Sequence, residues 1–418
     1  MPEIRPFSPG DKLFLALTAP PPSSPEAEEK AGEAIGSIRA GLRPGGPLPF
    51  PADGIGIKPE ELIQARNRAP ERFLSAVSLA RVNLRTFHEY QRRRGYAHDD
   101  GDGVFLARKA IPLASVGICC GSSFADLLMC AVPAQVAGVG RIVAVAEPGG
   151  DGRIDPLLLA TAKILSVEEV YRLEEPLGAA ALALGAGPVP KVDKVAGRLG
   201  AAERAVARLL AGEAGFLAFR REDSLALVAD DSANARIIAA DFLSRSGGAR
   251  RLGTTVLFTD DRLLAEAVRI EISRGMEQAS NPAETAKNLE AASGLFLCAN
   301  RSEAVRAANL LAPDRLELLT RDNRECLAEV ENAGAVFFGP WCPESMGIAF
   351  SGVNSLPPAG SPVHASTPGV EDFMKEITVA EYGPERLLKV GRHLLALAEA
   401  LGVAGLAARE RLKLLTGE

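Results

Sequence analysis

The stretch "SVGICCGSSFADLLMCAVPAQVAGVGRIVAVAEP", Ser115 to Pro148, decides the fold. It begins with "SVGICC", an apolar run of strand length. A Gly-Ser-Ser turn follows, then a helix-length segment, "FADLLMCAVPAQVAGV", then a second strand-like run, "RIVAVAEP". Strands that are apolar at nearly every position are covered on both faces. Strands alternating with helices build a parallel sheet. The rhythm continues through the helix "DPLLLATAKILS", the strand "EEVYRL" and the helix "PLGAAALALGAG". The turn at Gly121 and Ser122 can offer backbone N–H groups to a phosphate. It lacks the GxGxxG spacing, however, and most such turns are only turns.

A second series starts at Asp223. "SLALVADDSANARIIAADFLSRS" reads as strand, polar cap and helix. "TTVLFTDDRLLAEAVRIEIS" repeats the pattern, with Asp260 or Asp261 as cap. "GLFLCANRSEAVRAANLL" repeats it again, with Asn300 or Ser302. The strand "AGAVFFGP" then leads into "GPWCPESMGIAFSGVNSLPPAG", Gly339 to Gly360. This loop is rich in Gly and Pro and holds the only Trp of the chain. It is expected to run over a surface or cleft, at the carboxyl ends of strands where doubly wound sheets bind ligands. The predicted architecture is α/β: two related doubly wound, incomplete Rossmann-like domains, with an N-terminal arm and a C-terminal helical tail. The Pro/Gly-rich arm covers 1–57. One α/β domain takes 58–114 and 223–363, and the nucleotide-binding-like one takes 115–222. The tail, 364–418, reads as a helical module.

At 418 residues the chain exceeds one simple core, and its 47% hydrophobic content supports a large folded interior. A net charge of −6 argues against nucleic acid or an anionic membrane as partner. None of the six cysteines forms a CxxC pair, so they show no metal-ligand spacing and fit a reducing, cytoplasmic setting. No signal peptide or membrane-length apolar run is read. His88, beside Phe87 on a helical segment, reads as a packed histidine rather than a ligand.

Several long motifs together resemble the histidinol dehydrogenase family: "ARVNLRTFHEYQ" (80–91), "LLMCAVPAQVAGVGRIVAVAEP" (127–148), "VPKVDKVAG" (189–197), "LAPDRLELL" (311–319), "WCPESMGIAFSGVNSLPPAG" (341–360) and "DFMKEITVAEY" (372–382). They occur in the family's order and cover the chain from about residue 60 onward. The resemblance implies an NAD-dependent, zinc-containing homodimer that oxidises histidinol to histidine. It also implies a Glu-His acid-base pair and a tail exchanged between subunits.

The residues at the matching positions differ. The family's zinc ligands fall at Arg245, Gly248, Ile348 and Arg409, none of which binds zinc. Its acid-base pair falls at Asp314 and Arg315, and Arg stays protonated at any ordinary pH. A second histidine falls at Ser355. Two substrate-contacting positions fall at Asp223 and Ala404. On the cofactor side the glycine-rich turn shortens to "CCGSSFAD", so that Gly121, Ser122, Leu177 and Gly200 stand at or near the contact positions. Turn formers such as Pro133, Gly138, Pro343, Gly347, Gly352 and Pro357 persist. The resulting expectation is a relative that has left zinc-dependent histidinol oxidation. Asp223, Arg245, Ile348, Ser355 and Arg409 would line a pocket for a small anionic metabolite, with no metal and NAD optional. The competing readings are an active NAD-dependent oxidoreductase with a rebuilt site and a dimeric scaffold. The plain alternative to an anion pocket is that the pocket has collapsed and the Arg residues form surface or internal salt bridges. Cys342 and the pair Cys119 and Cys120 read as packed residues rather than nucleophiles.

Overall fold

A computed structural model describes the chain except residues 1, 19–23, 44–45, 52, 221–222, 248–252, 349, 359, 404 and 418. The chain opens with β1 (Ile4–Pro6), α1 (Lys12–Thr18), α2 (Pro25–Gly41), α3 (Pro59–Arg68), α4 (Glu71–Glu89), β2 (Tyr96–Asp99) and β3 (Val104–Pro112). Then come β4 (Ser115–Gly121), α5 (Phe124–Ala137), β5 (Arg141–Ala146), α6 (Pro156–Ile164), β6 (Glu169–Arg172), α7 (Leu177–Leu184), β7 (Lys194–Arg198), α8 (Ala201–Leu209) and β8 (Gly215–Phe219). The next series is β9 (Leu225–Ala229), α9 (Ala235–Ser246), β10 (Thr255–Thr259), α10 (Arg262–Met276), α11 (Pro282–Ala292), β11 (Ser293–Leu297), α12 (Arg301–Leu311), β12 (Arg315–Leu319), α13 (Asn323–Glu329) and β13 (Ala335–Phe338). The tail holds β14 (Met374–Tyr382), α14 (Pro384–Ala400) and α15 (Leu406–Thr416).

Two parallel sheets carry the molecule. One has the order β6-β5-β4-β7-β8, the other β1-β11-β10-β9-β12-β13. Each is covered on both faces. Every residue of β9, β10 and β12 is buried, and two apolar clusters flank each sheet. Several of the helices start where polar caps satisfy free N–H groups. Ser123 accepts from the Asp126 amide at 3.2 Å, Asn234 from Arg236, Asp261 from Leu263 and Asn300 from Glu303. α5 ends at Gly138 with φ +92°, a left-handed cap that glycine adopts without strain.

The first segments do more than form an arm. β1 adds to the six-stranded sheet beside β11, and Phe7 and Phe14 pack edge-on against Phe258 and Phe296. α2 buries Ala31, Ile35 and Ile38 over the five-stranded sheet, and α3 and α4 lie against α6 and α5. The tail is also more than helical. Met374–Tyr382 is a largely exposed strand that pairs antiparallel with β3 along its whole length in a small third sheet. Among the described residues, no helix is long and apolar enough to cross a membrane.

Candidate functional site

The loop from Gly339 joins the two halves. It leaves the carboxyl end of β13 and turns back along the sheet, so that its later part reaches the amino ends of β9, β10 and β12. There Phe219, the last residue of β8, bridges to Pro358, and the Arg220 amide donates to the Pro357 carbonyl at 2.8 Å. On the way, Asn354 donates to the Met129 carbonyl of α5 at 2.7 Å, and Asn83 of α4 donates to the Phe350 carbonyl at 2.7 Å. Gly352 (φ +92°) crosses so close to Asn83 that a Cβ would sit 2.8 Å from its carbonyl oxygen. The loop is therefore largely interior. Glu344, Asn354, Ser355 and Leu356 are buried, while Trp341 is 88% exposed. This corrects the surface course expected from its composition. The polar loop atoms find partners on both halves, which makes burial tolerable.

The candidate centre lies at the amino ends of β9, β10 and β12, not at carboxyl ends as expected. Arg245, the last-turn basic residue of α9, is 1% exposed. It donates to Asp223 Oδ1 at 2.6 Å, to the Asp223 carbonyl at 2.7 Å, to Glu344 Oε1 at 3.1 Å and to Thr255 Oγ1 at 3.1 Å. Arg315, at the start of β12, donates to Glu344 Oε2 at 2.5 Å and lies 3.0 Å from Asp223 Oδ2. Two cations and two anions thus form a closed, neutral ring, in which each carboxylate bridges both guanidinium groups. Burial raises the Asp223 carboxyl, but Arg315 and then Arg245 more than reverse this, so it lies below its ordinary value. The Arg245 guanidinium is held charged: burial opposes it, and Asp223 and Glu344 outweigh the burial.

The remaining predicted positions scatter. Ser355 is buried and donates to the Gly347 carbonyl at 2.6 Å. Asp314 does not join the ring. It is paired with Arg220 and accepts from the Ser224 amide at 2.8 Å, tying the start of β12 to the β8–β9 crossing. Burial leaves its carboxyl above the ordinary range even so. Arg409 is exposed on α15 and has no part in the ring. Gly248 and Ala404 lie outside the described residues, as does the Ile348 side chain. The anion pocket expected from three arginines is thereby corrected: the two that meet, Arg245 and Arg315, are already neutralised by Asp223 and Glu344. Cys119 and Cys120 are buried. Cys342 is half-buried, and burial, then Glu317, raises its thiol, so the thiolate is disfavoured.

One acidic pair escaped the sequence reading. Asp241 of α9 and Glu317 of β12 share a hydrogen bond, and Glu317 Oε1 accepts from the Glu344 amide at 2.5 Å. Burial, then the neighbouring carboxylates, pushes Glu317 up to about 8. Burial pushes Asp241 to about 6. Between them they hold a proton near neutral pH. The available signal was "RLELL", which sets two charged residues on one face of an otherwise apolar parallel strand.

The other predicted cluster sits at the carboxyl edge of the five-stranded sheet, where strand order reverses between β4 and β7. Gly121 (φ +52°) closes β4, Leu177 opens α7 and Gly200 caps α8, so all three share this edge with the exposed Ser122. Gly197 (φ +153°) lets β7 approach β4: a Cβ there would meet the Cys119 carbonyl oxygen at 2.3 Å. The backbone N–H groups of Ser122, Phe124 and Ala125 have no backbone or side-chain acceptor among the described residues. At the same edge, Arg198 lies 3.2 Å from the buried Asp126. This edge fits the pyrophosphate of a dinucleotide, which needs free amides, a glycine turn and close backbone approach.

The family model described as histidinol dehydrogenase matches residues 49–412. A histidinol dehydrogenase of Caldanaerobacter subterraneus subsp. tengcongensis is 34% identical over 354 residues, covering 84% of this chain and 82% of that protein. One from Halalkalibacterium halodurans is 32% identical over 352 residues, covering 83% of each chain. The crystal structure of histidinol dehydrogenase from Elizabethkingia anophelis superposes with a TM-score of 0.88 at 22% identity, over 99% of this chain and 98% of that one. These relatives overturn the expectation of a ligand-binding chain that has left oxidation. Curated proteins this similar, over this much of the chain, carry the name of an oxidoreductase, so the reading with a rebuilt site takes its place.

Proposed function

The chain belongs to the histidinol dehydrogenase family, and from that premise we propose that it is an NAD-dependent oxidoreductase acting on a small alcohol or aldehyde, histidinol or a related compound, through a rebuilt centre. The observation that carries this reading is identity of 32–34% with proteins of that name over more than four-fifths of the chain. The sheet edge at Gly121, Ser122, Leu177 and Gly200 supports it, because it offers a dinucleotide a glycine turn and backbone amides without acceptors among the described residues. NAD, when bound, supplies the hydride acceptor.

The centre itself does not fit a zinc ion. Zinc takes three or four N, O or S donors. Among the described residues no three His, Cys, Asp or Glu side chains gather that way. The carboxylates of the ring are each engaged by two guanidinium groups, which would repel a divalent cation. No step of the proposed reaction therefore runs through a metal. The ring holds α9, β12 and the Gly339–Gly360 loop in register against the cofactor half. Removing hydride from an alcohol also requires a base for the hydroxyl proton. Asp223 and Glu344 are committed to the ring. The Asp241–Glu317 pair, next to Glu344, is the group beside the ring that exchanges a proton near neutral pH.

The same reading includes the division into one α/β domain at 58–114 with 223–363 and another at 115–222, a cytoplasmic setting and a homodimer that exchanges the tail. α15 buries nothing in the single chain, and Leu397, Leu401, Leu406 and Leu414 are exposed. An apolar helical surface of this kind is covered in a stable protein. Light scattering should give twice the monomer mass, and a monomer would end the dimer proposal. For the activity, purified protein is offered NAD with histidinol, other amino alcohols and their aldehydes, with and without chelator or added zinc. NADH formation unaffected by chelator is expected. No NADH with any substrate, with or without zinc, would sink the reading.

A further inference from the structure

His88 is wholly buried in the last turn of α4, and neither the ring of charges nor the sheet edge makes use of it. Its Nδ1 lies 2.8 Å from Gln91 Oε1, and the same oxygen accepts from the Val370 amide at 3.2 Å. An amide oxygen only accepts, so Nδ1 carries the ring proton and Nε2 is bare. Nε2 is buried and has no hydrogen-bond partner among the described residues. Val370 belongs to the turn from Gly369 to Phe373, which fastens the tail to the body of the molecule. Val370 and Phe373 are wholly buried, in the same apolar cluster as Leu84 of α4. Lys194 of β7 donates to the Asp372 carbonyl, and the Leu113 amide donates to the Phe373 carbonyl at 3.0 Å. Beyond this turn comes β14, exposed along nearly its whole length.

We propose that His88 makes the anchor of the tail acid-sensitive: a proton taken at Nε2 expels the ring from its site, draws Gln91 away from Val370 and releases the tail from the body. Protonation adds an N–H donor and a positive charge where no acceptor stands, and a buried unpaired charge is too costly to keep. Gln91 follows His88 because it lies just past the end of α4, its amide donating to the His88 carbonyl at 3.0 Å. Burial, opposed in smaller measure by Gln91, holds the ring below its ordinary value of 6.5. The opened state therefore binds the proton more readily than the closed one. The anchor is held fully above the ordinary value and weakens as pH falls through it. The charges on the neighbouring elements are answered elsewhere. On α4, Arg85 pairs with Glu89. α5 brings Asp126, paired with Arg198, and the buried Cys130, while α6 brings Lys163, paired with Glu168. The turn itself brings Glu371, paired with Arg93, and Asp372, whose carboxyl burial raises. Asp372 also titrates on the acid side, so it is the group to separate from His88.

The test is amide hydrogen exchange of the full chain, read by mass spectrometry at about pH 8 and about pH 5 and corrected for the intrinsic pH dependence of exchange. In the wild type, residues 370–382 should exchange at least about tenfold faster at the lower pH than at the higher. His88→Gln keeps an N–H for Gln91 but takes no proton, so it should erase this acid response. Asp372→Asn should leave it in place. Melting curves show that each variant is folded. If His88→Gln does not fold, the wild-type ring carries the test: its NMR signal should titrate below 6.5, over the pH range in which exchange of the tail accelerates. Equal corrected exchange at the two pH values would overturn the proposal. So would an acid response that survives His88→Gln or disappears in Asp372→Asn, or a His88 ring that titrates at or above 6.5.

Discussion

The two parallel sheets are built alike and finished differently. At the amino edge of the six-stranded sheet, Asp223, Arg245, Arg315 and Glu344 fill the space with charge, and each charge is answered. At the carboxyl edge of the five-stranded sheet, between β4 and β7, stand glycines, an exposed serine and amides without an acceptor among the described residues, with the Arg198–Asp126 pair beside them. The difference follows from what each edge can hold. Free N–H groups at helix starts can wait for a ligand because water reaches them. Buried guanidinium groups cannot wait, because an unpaired buried charge is intolerable. One edge is thus cemented and the other kept open.

Breaking the cement should have the largest effect. Glu344→Leu removes one anion and leaves two buried cations sharing Asp223. Loss of about 3–5 kcal/mol is expected in denaturant unfolding. Ser122→Ala, at the open edge where the side chain is exposed, should change stability by about 0.5 kcal/mol or less. Equal costs would abolish the contrast between the edges.

The open edge depends on backbone closeness, which Gly197→Ala attacks. Its positive φ and the 2.3 Å contact with the Cys119 carbonyl predict a loss of about 2–3 kcal/mol. Weaker ADP-ribose binding should accompany it, since β7 must move from β4. Unchanged stability and binding would show that the crevice does not need that approach.

A smaller effect concerns protons. Glu317 and Asp241 titrate higher in the folded chain than their ordinary values of 4.5 and 3.8, because burial disfavours the charged forms. The folded state therefore binds more protons than the unfolded one between the ordinary carboxylate range and about pH 8, and stability falls as pH rises through that window. Glu317→Gln should flatten this dependence and stabilise the chain by on the order of 1–2 kcal/mol at pH 8. Unfolding curves across the window decide it. A dependence as steep in the variant as in the wild type would remove Glu317 as its source.

Much of the fold was legible because its signals are local. "SVGICCGSSFADLLMC" contains a strand, a turn, a capping serine and a helix within a few residues of one another, and each appears where the pattern places it. Asp261 and Asn300 likewise cap the helices they precede. What was missed is non-local. β14 pairs with β3 across more than 260 residues, as from Lys109 to Ile377, and neither segment announces its partner. Glu344 reads as part of a turn motif in the sequence. Only the return of its loop to the amino edge makes it the second anion of the ring.

Sequence alone determined the repeating strand-helix units, their caps, the family and the positions at which ionisable residues stand. Those follow from periodicity, from backbone groups that need partners close by, and from motif order. Tertiary structure decided which charges meet. Three arginines look equivalent in a linear chain. In the folded molecule Arg245 and Arg315 lie within 3.1 Å of the carboxylates of Asp223 and Glu344, while Arg409 faces solvent. Coulomb energy depends on separation and burial in space, and neither is a property of spacing along the chain.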